Sequence, residues 1–380
     1  MSIERKLARL REQSLVRSRR LVESPCGPEV RVAGKTLLAF ASNDYLGLAA
    51  DPALVAAARE GAALYGVGAG ASHLVSGHYA AHHELEARLA AFVGLERALF
   101  FSSGYMANLG VITSLAGRDD AVFSDELNHA SLIDGIRLSG AEKHIYPHLD
   151  LAALAAMLDA CQRPGKLVVS DAVFGMDGDQ ANLPALLELC ERHDAWLVVD
   201  DAHGFGIEGV DGRGSLSRFG IASKRVVYMG TLGKAAGVAG AFVAGPGQVV
   251  EWLLQSARSY IFTTGSPPLL AHALLTGIDL IEQGEERRRR LRQLIAQLRQ
   301  GLNFRRWRLP ESSTAIQPVI IGENSEALQV GAALLAAGLW VPVIRPPTVP
   351  AGTARLRISL SAAHTPAQVE RLVSALMELE

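Results

Sequence analysis

Short apolar runs alternate with helix-like segments through the middle of the chain. The runs cover residues 98–103, 121–124, 166–170 and 195–200, and a further run begins at Val226. They have no regular polar alternation, which is typical of strands that are buried on both faces of a parallel sheet. Strands separated by helices therefore predict an α/β domain built on a mostly parallel sheet.

The order of the elements predicts three regions. An amphipathic helical pattern followed by a hairpin pattern forms an N-terminal segment, 1–45, and the alternating strands and helices form a large domain, 46–266. The remaining residues mix two further strand patterns with helical segments, which predicts a small α+β domain, 267–380.

Composition favours an enzyme that acts on small molecules. The chain has 380 residues, 49% of them hydrophobic, and a net charge of -2, so charge gives no case for nucleic acid as a partner. Its three cysteines are far apart, which predicts neither disulfides nor a zinc site and is typical of a cytoplasmic protein. No run is long enough to span a membrane, and the start lacks the apolar core of a signal peptide.

One lysine follows the apolar run that begins at Val226. Lys234 lies in a glycine-rich turn, where a lysine that has just left a buried strand loses hydration, and we expect its pKa to fall towards neutrality. Such an amine forms Schiff bases with carbonyl compounds, of which pyridoxal phosphate is the commonest in enzymes, and Thr231 offers a hydroxyl group to a phosphate. On this segment alone, a surface lysine beside a flexible loop is an equally good interpretation.

The run at 195–200 ends in two carboxylates, Asp200 and Asp201, with His203 just beyond. Ligands of open α/β sheets bind at the carboxyl ends of the strands, which makes this a candidate site. Adjacent strand residues point to opposite faces, so only one aspartate faces a shared pocket. We assign that position to Asp200 and a structural role to Asp201.

Two further positions suit a phosphorylated aromatic ligand. Gly104 stands between a strand and a helix, where backbone N–H groups face an anion, and His129 begins another helix. A lone histidine there is structural unless a planar cofactor lies against it. The pattern G-x-G-x-x-A at 66–71 does not indicate a nicotinamide dehydrogenase, because a helix and not a strand precedes it.

Six motifs together resemble the α-oxoamine synthase family of fold-type I pyridoxal phosphate enzymes. Two are the strand-end D-x-A-H at 200–203 and T-x-G-K at 231–234. The others are 42–48 (SNDYLGL), 128–132 (NHASL), 176–179 (MDGD) and 344–357 (IRPPTVPAGTARLR). The last is similar to the branch of the family that uses pimeloyl thioesters, and the resemblance spans nearly the whole chain.

The resemblance implies a role for each cofactor-site residue. Lys234 would hold pyridoxal 5'-phosphate as a Schiff base and then act as the general base, Asp200 would pair with the pyridinium nitrogen, and His129 would stack on the ring. The other implied cofactor contacts are Gly104 and Tyr105 through their backbone, Thr231 and His203 at the phosphate or phenolic oxygen, and Thr264 from the opposite subunit of a homodimer.

Substrate contacts are also implied by the resemblance. Arg357, helped by Asn43, would bind the amino-acid carboxylate, because a guanidinium group matches a carboxylate in two places. Thr348 and an N-terminal arginine would contact the acyl substrate. Arg17 is favoured for the latter, and Arg19 and Arg20 remain alternatives.

The implied reaction is the decarboxylative condensation of L-alanine with a pimeloyl thioester of coenzyme A or an acyl carrier protein, in biotin biosynthesis. Members that make 2-amino-3-ketobutyrate or 5-aminolevulinate, and the serine palmitoyltransferase type, remain alternatives, as does a catalytically silent chain with the same fold. The sequence departs from the family at Gly175, where a serine usually bonds the cofactor. That hydrogen bond must be absent, supplied by water or made by another residue.

Overall fold

A computed structural model describes residues 2–380. The strands lie at β1 Glu29–Val32, β2 Lys35–Ala39, β3 Arg97–Phe101, β4 Ala121–Asp125, β5 Glu142–Tyr146, β6 Lys166–Asp171, β7 Trp196–Asp200, β8 Val226–Thr231, β9 Ala241–Gly245, β10 Ile316–Gly322, β11 Leu339–Trp340, β12 Val343–Ile344 and β13 Ala354–Ser359.

The helices separate the strands along most of the chain. They lie at α1 Ile3–Glu12, α2 Pro52–Tyr65, α3 Ala80–Val93, α4 Gly104–Leu115, α5 Ala130–Ser139, α6 Leu151–Ala160, α7 Leu183–Arg192, α8 Ser215–Arg218, α9 Gly247–Ser256, α10 Arg258–Ile261, α11 Pro268–Glu282, α12 Glu285–Gly301, α13 Asn324–Ala336 and α14 Pro366–Leu379. Among residues 2–380, no helix is both long and apolar enough to cross a membrane.

A seven-stranded sheet dominates the fold, in the order β3-β9-β8-β7-β6-β4-β5. Six strands run parallel, and β9 is antiparallel to both of its neighbours. Every residue of β4, β8 and β9 is buried, as expected for strands that helices cover on both faces. The predicted α/β fold with a mostly parallel sheet is confirmed.

The segments that follow the parallel strands all begin at the same edge of the sheet. The carboxyl ends of these strands lie at that edge. Gly104, His129, Gly175, His203 and Lys234 each come within five residues of the end of one of these strands. The edge therefore collects residues that are as many as 130 positions apart in the chain.

The chain divides into two compact units. Unit 2 comprises 48–175 and 180–285 and contains the seven-stranded sheet, and unit 1 comprises the chain up to 47 together with 176–179 and 286–380. The boundary lies later than the expected 266 because α11 packs against α2 and α3 within unit 2. The predicted separate segment 1–45 instead belongs with the carboxy-terminal residues, because β2 pairs with β11 in a three-stranded sheet.

Unit 1 contains two small sheets. Strands β1, β2 and β11 form one, and β10, β13 and β12 form the other, in which both pairings are antiparallel. Every residue of β13 is buried, which includes Arg355 and Arg357. Arg355 is paired with Asp177 from the short segment 176–179, so that segment is held within unit 1 by an ion pair with a buried guanidinium group.

Three histidines form a cluster in unit 2, two of them in the segment before α3 and one in its first turn. The Nδ1 atoms of His73 and His78 lie 3.1 Å apart, and the His73 ring stacks on Tyr260. Both ring nitrogens of His82 are engaged by backbone groups: Nδ1 accepts from the N–H of Tyr79, and Nε2 lies 2.9 Å from the carbonyl oxygen of Ser266. His82 therefore caps a helix through backbone hydrogen bonds, and a single ring–ring hydrogen bond joins His73 and His78.

The cluster makes stability depend on pH. Burial, with His82 and His78 as secondary causes, lowers the pKa of His73 from 6.5 to about 3. Burial likewise lowers the pKa of His82 from 6.5 to about 4. Below pH 6.5 the two histidines are protonated in the unfolded chain but remain neutral in the folded chain. The free energy of unfolding therefore decreases as the pH falls from 6.5 towards about 4.

We expect His73→Gln to flatten this pH dependence, measured as the urea midpoint between pH 4 and 7. His83→Gln, at an exposed neighbour, is the matched control and should leave the slope as it is. An unchanged slope in a folded His73→Gln protein would show that the buried ring does not resist protonation.

Candidate active site

Lys234 and His203 meet beyond the ends of two adjacent parallel strands. Lys234 follows β8 and His203 follows β7, and the Lys234 Nζ lies 2.9 Å from the His203 Nε2. Both side chains are half-buried. The turn that carries the lysine requires glycine at 237, which has φ +71°, and a Cβ there would lie 2.7 Å from the backbone nitrogen of Ala49.

The two aspartates at the end of β7 have different surroundings. Asp200 is 2% exposed and accepts hydrogen bonds from the Asn108 side chain at 2.7 Å and the Ala202 N–H at 3.0 Å. Asp201 is fully buried, accepts from the backbone and hydroxyl of Ser215 and from Tyr228, and burial raises its pKa to about 7. Both of its carboxylate oxygens accept hydrogen bonds from neighbouring structural groups, which supports the structural role assigned to it.

His129 precedes α5 and caps it. Its backbone N–H donates to Asp171 Oδ2 at 2.7 Å, and its Nδ1 lies 2.7 Å from Ser131 Oγ. The pKa of His129 is lowered, first by partial burial and then by Lys234, while Asp200 opposes the shift. The ring is therefore neutral at physiological pH and lies within the electrostatic reach of both Lys234 and Asp200.

The start of α4 supplies backbone donors. Gly104 and Tyr105 open the helix, and the Ser103 hydroxyl caps it by accepting from the Met106 N–H. The Tyr105 hydroxyl is directed to Asp134 at the surface, so only the backbone of Tyr105 serves the helix start. The first backbone N–H groups of α4 have no acceptor within the helix, so they are available to bind an anion.

Two other predicted contacts have different environments. Thr231 is buried at the end of β8, and its hydroxyl donates to the carbonyl of Gly240 at 3.1 Å. Thr264 is exposed in the connection between α10 and α11. Their roles at the cofactor phosphate stay predictions.

These residues fit pyridoxal phosphate. A half-buried amine can form an imine with an aldehyde, a buried carboxylate can pair with a protonated ring nitrogen, and an imidazole ring can cover an aromatic face. Lys234, Asp200 and His129 supply these three groups at one edge of the sheet, and the start of α4 lies at the same edge. The donor set matches each functional part of the cofactor.

Arg357 and Asn43, the predicted carboxylate contacts, lie together in unit 1. The Nη1 of Arg357 donates to Asn43 Oδ1 at 3.1 Å and to Ser359 Oγ at 2.7 Å. Asn43 Oδ1 also accepts from the Tyr45 hydroxyl at 3.2 Å. Arg357 is 5% exposed, so its charge is held in place by neutral oxygen acceptors in a largely buried setting.

Arg17 and Thr348 line one cavity in unit 1. Its volume is about 540 Å³, and its apolar lining includes Leu328, Leu335 and Trp340. Arg20 also lines the cavity, whereas Arg19 is not among its lining residues. The structure thus brings together Thr348 and two of the three candidate arginines.

Sequence reasoning missed three residues that support this site. Asn108 and Ser131 connect Asp200 with His129 through hydrogen bonds, and Asp171 holds the backbone of His129. Burial, and then the neighbouring Asp200, raises the pKa of Asp171. Asn108 lies inside a helix without a charge or glycine pattern, whereas Ser131 stands in the motif at 128–132 and Asp171 is a polar residue at a strand end, so these two were detectable.

Comparison with known proteins identifies the family. Residues 35–376 match the family described as aminotransferase class I and II. An 8-amino-7-oxononanoate synthase of Aromatoleum aromaticum is 62% identical over 374 residues, which cover 98% of this chain and 97% of that protein. The chain belongs to the 8-amino-7-oxononanoate synthase family. The family resemblance drawn from the motifs is confirmed.

Solved structures agree with this assignment. An 8-amino-7-oxononanoate synthase from Francisella tularensis is 30% identical with a TM-score of 0.77, over 90% of this chain and 97% of that one. Serine palmitoyltransferase from S. paucimobilis with a bound PLP–myriocin aldimine is 32% identical with a TM-score of 0.94, over 99% of this chain and 96% of that one. This member of the 8-amino-7-oxononanoate synthase family is therefore a pyridoxal phosphate enzyme, as predicted.

Gly175 leaves room for the His203 ring. A Cβ built on Gly175 would lie 2.7 Å from His203 Nε2, the atom that contacts Lys234. Real Cβ atoms do not approach that closely, and the atom in the way is the far end of a side chain. Any larger residue at 175 therefore requires the imidazole to move.

We expect Gly175→Ala to displace the His203 ring and to break its contact with Lys234, at a cost of about 1 kcal/mol. Crystal structures of the variant and the parent would measure the distance between Lys234 Nζ and His203 Nε2. Gly27→Ala is the control, because a Cβ there meets nothing within 4 Å. An unmoved ring in Gly175→Ala would contradict the steric argument.

Proposed function

We propose that this protein condenses L-alanine with a pimeloyl thioester to form 8-amino-7-oxononanoate, carbon dioxide and a free thiol, in biotin biosynthesis. The observation that carries the proposal is the contact of the Lys234 amine with His203 beside the buried Asp200, in a chain 62% identical to an 8-amino-7-oxononanoate synthase. We further propose a cytoplasmic homodimer in which Thr264 reaches the partner's cofactor phosphate.

Lys234 is assigned the proton transfers. Its amine takes the Cα proton of alanine, and the new carbanion bonds to the thioester carbonyl carbon while the C–S bond breaks and the thiolate leaves. The resulting β-keto acid loses carbon dioxide, and Lys234 returns a proton to Cα. His203, 2.9 Å from the amine, orients it and accepts a hydrogen bond from it when it is charged.

Pyridoxal phosphate, when bound, accepts the electron pair released at Cα, which no amino-acid side chain can do. Asp200 is assigned to the ring nitrogen, because a buried carboxylate keeps such a nitrogen protonated. Asn108 and Ala202 donate hydrogen bonds to Asp200 and orient the carboxylate. His129, whose lowered pKa keeps it neutral, is assigned to cover the ring.

Arg357 is assigned to the carboxylate of alanine. Its Nη1 is oriented by Asn43 and Ser359, and its low exposure limits competition from water for a bound anion. A guanidinium group donates to both oxygens of a carboxylate, so this position fixes the orientation of the amino acid.

The cavity in unit 1 is assigned to the acyl donor. Apolar side chains such as Leu328 and Trp340 suit the methylene chain of a pimeloyl group, and Arg17 or Arg20 suits its terminal carboxylate. Thr348 lines the same cavity. A direct comparison of pimeloyl-CoA with pimeloyl carrier protein distinguishes the two thiol carriers.

A serine palmitoyltransferase activity is the second candidate. The TM-score to that enzyme, 0.94, exceeds the 0.77 found for the F. tularensis synthase. The sequence comparison favours the first candidate, because identity to the A. aromaticum synthase is 62% and to the palmitoyltransferase 32%. The two activities differ in both substrates, so one assay separates them.

We expect turnover with L-alanine and a pimeloyl thioester, and little or none with glycine, with L-serine and palmitoyl-CoA, or with succinyl-CoA. Released thiol and carbon dioxide would be measured for each pair, with pimeloyl-CoA and pimeloyl carrier protein compared directly. Lys234→Ala is the control, which should fold and yet lose turnover and borohydride labelling. A preference for serine and palmitoyl-CoA would overturn the proposal in favour of the second candidate.

We expect Arg357→Lys to raise the KM for alanine roughly ten-fold or more, because a point charge replaces a two-pronged donor. Steady-state kinetics with alanine varied at saturating thioester would measure it. Arg371→Lys, at an exposed arginine whose Nη2 contacts a backbone carbonyl in unit 1, is the matched control. A KM equal to that of the parent would remove Arg357 from the carboxylate site.

A further inference from the structure

Asn108 lies between the two residues assigned to the cofactor ring. It is fully buried in α4, and its Nδ2 donates to Asp200 Oδ2 at 2.7 Å and to Ser131 Oγ at 2.9 Å. Ser131, also fully buried, lies 2.7 Å from the Nδ1 of His129. One side-chain amide thus connects the carboxylate to the imidazole in three hydrogen bonds.

The orientation of this amide follows from Asp200. A side-chain amide has one donor end and one acceptor end. If the amide were turned over, its oxygen would face the Asp200 carboxylate at the distance of a hydrogen bond, with no proton between them. The observed orientation instead leaves Asn108 Oδ1 buried without a partner among residues 2–380. The two hydrogen bonds that Nδ2 donates, one of them to a carboxylate, stabilise the fold by more than the unsatisfied Oδ1 destabilises it.

The direction of the remaining bonds is then determined. The Ser131 oxygen accepts from Asn108, so its own proton is available for the His129 Nδ1. The backbone N–H of Ser131 also approaches that Nδ1, at 3.3 Å. Because a backbone N–H can only donate, Nδ1 must be an acceptor. The proton of the neutral His129 ring is therefore on Nε2.

We propose that Asn108 is a positioning residue that sets the tautomer of His129 and the orientation of Asp200 at once. Its two N–H groups direct the Ser131 proton towards His129 and hold one oxygen of Asp200, so the imidazole and the carboxylate are oriented by the same side chain. The proposal rests on the cofactor roles of His129 and Asp200, and it does not depend on which amino acid or thioester is used.

Charged groups around His129 do not replace this role. Asp200 and Lys234 act on the ring with opposite signs, and Asp171 is engaged through the His129 backbone N–H. The two carboxylates can only accept hydrogen bonds and cannot donate one to Nδ1. The Ser131 hydroxyl and backbone N–H donate to it, and the direction of the hydroxyl is decided by Asn108.

The test is nitrogen NMR of histidine side chains in the full-length protein labelled with ¹⁵N-histidine, both without and with pyridoxal phosphate. His129→Gln identifies the signals of His129. We expect the parent protein to show His129 protonated on Nε2, and Asn108→Ala to shift the tautomer ratio towards Nδ1–H roughly five-fold, the ratio that one net hydrogen bond supports. Asn182→Ala, which removes a cap from α7, is the control and should leave these signals unchanged.

A second variant keeps the test decisive if Asn108→Ala does not fold. Ser131→Ala removes the hydroxyl donor to Nδ1 and retains the bond between Asn108 and Asp200, so it should shift the His129 tautomer in the same direction. In the double variant the shift should equal that of Ser131→Ala alone, because Asn108 acts on the ring through the hydroxyl group. A parent protein with the proton on Nδ1, or a folded Asn108→Ala protein with an unchanged ratio, would overturn the proposal. Neither result depends on turnover, so the substrates proposed above would be unaffected.

Discussion

Parallel pairing of the strands is the constraint on which the site depends. Strands β6, β7 and β8 run side by side in the same direction, with Asp171 paired to Asp200 and Asp200 paired to Met229. Hydrogen bonds between strands fix this register, so the segments beyond the strand ends begin at one edge of the sheet. The Lys234 amine consequently contacts His203, which is 31 residues away in sequence, because the two residues follow adjacent parallel strands.

Burial gives this edge its electrostatic character. Asp171 and Asp200 are almost inaccessible to solvent and lie on adjacent strands, an arrangement that disfavours charging both. Burial first, and then the neighbouring Asp200, raises the pKa of Asp171. The Asp200 carboxylate accepts hydrogen bonds from the Asn108 side chain and the Ala202 N–H, and these two bonds orient it.

Much of this site was predictable from motifs, but the residue that orients Asp200 and Ser131 was not. Lys234, Asp200, His129 and His203 each stand in a short pattern next to an apolar run, and such runs have few alternatives to a buried strand. Asn108 has no such signal, because an asparagine inside a helix is usually on the surface and only its partners give it a role. Strand β5 was missed because Glu142, Lys143 and His144 interrupt its apolar pattern, and its position at the end of the sheet leaves those residues partly in solvent.

The sequence by itself determined the α/β architecture, the family and the chemical types at the site, because hydrophobic periodicity and the residues next to strand ends are local properties of the chain. Only the tertiary structure decided the boundary of the two units, the pairing of β2 with β11, the bond between Asn108 and Asp200, and the clearance that Gly175 leaves for His203. Each of these depends on distances between residues that are far apart in sequence, and such distances are set by packing and hydrogen bonding in the folded chain.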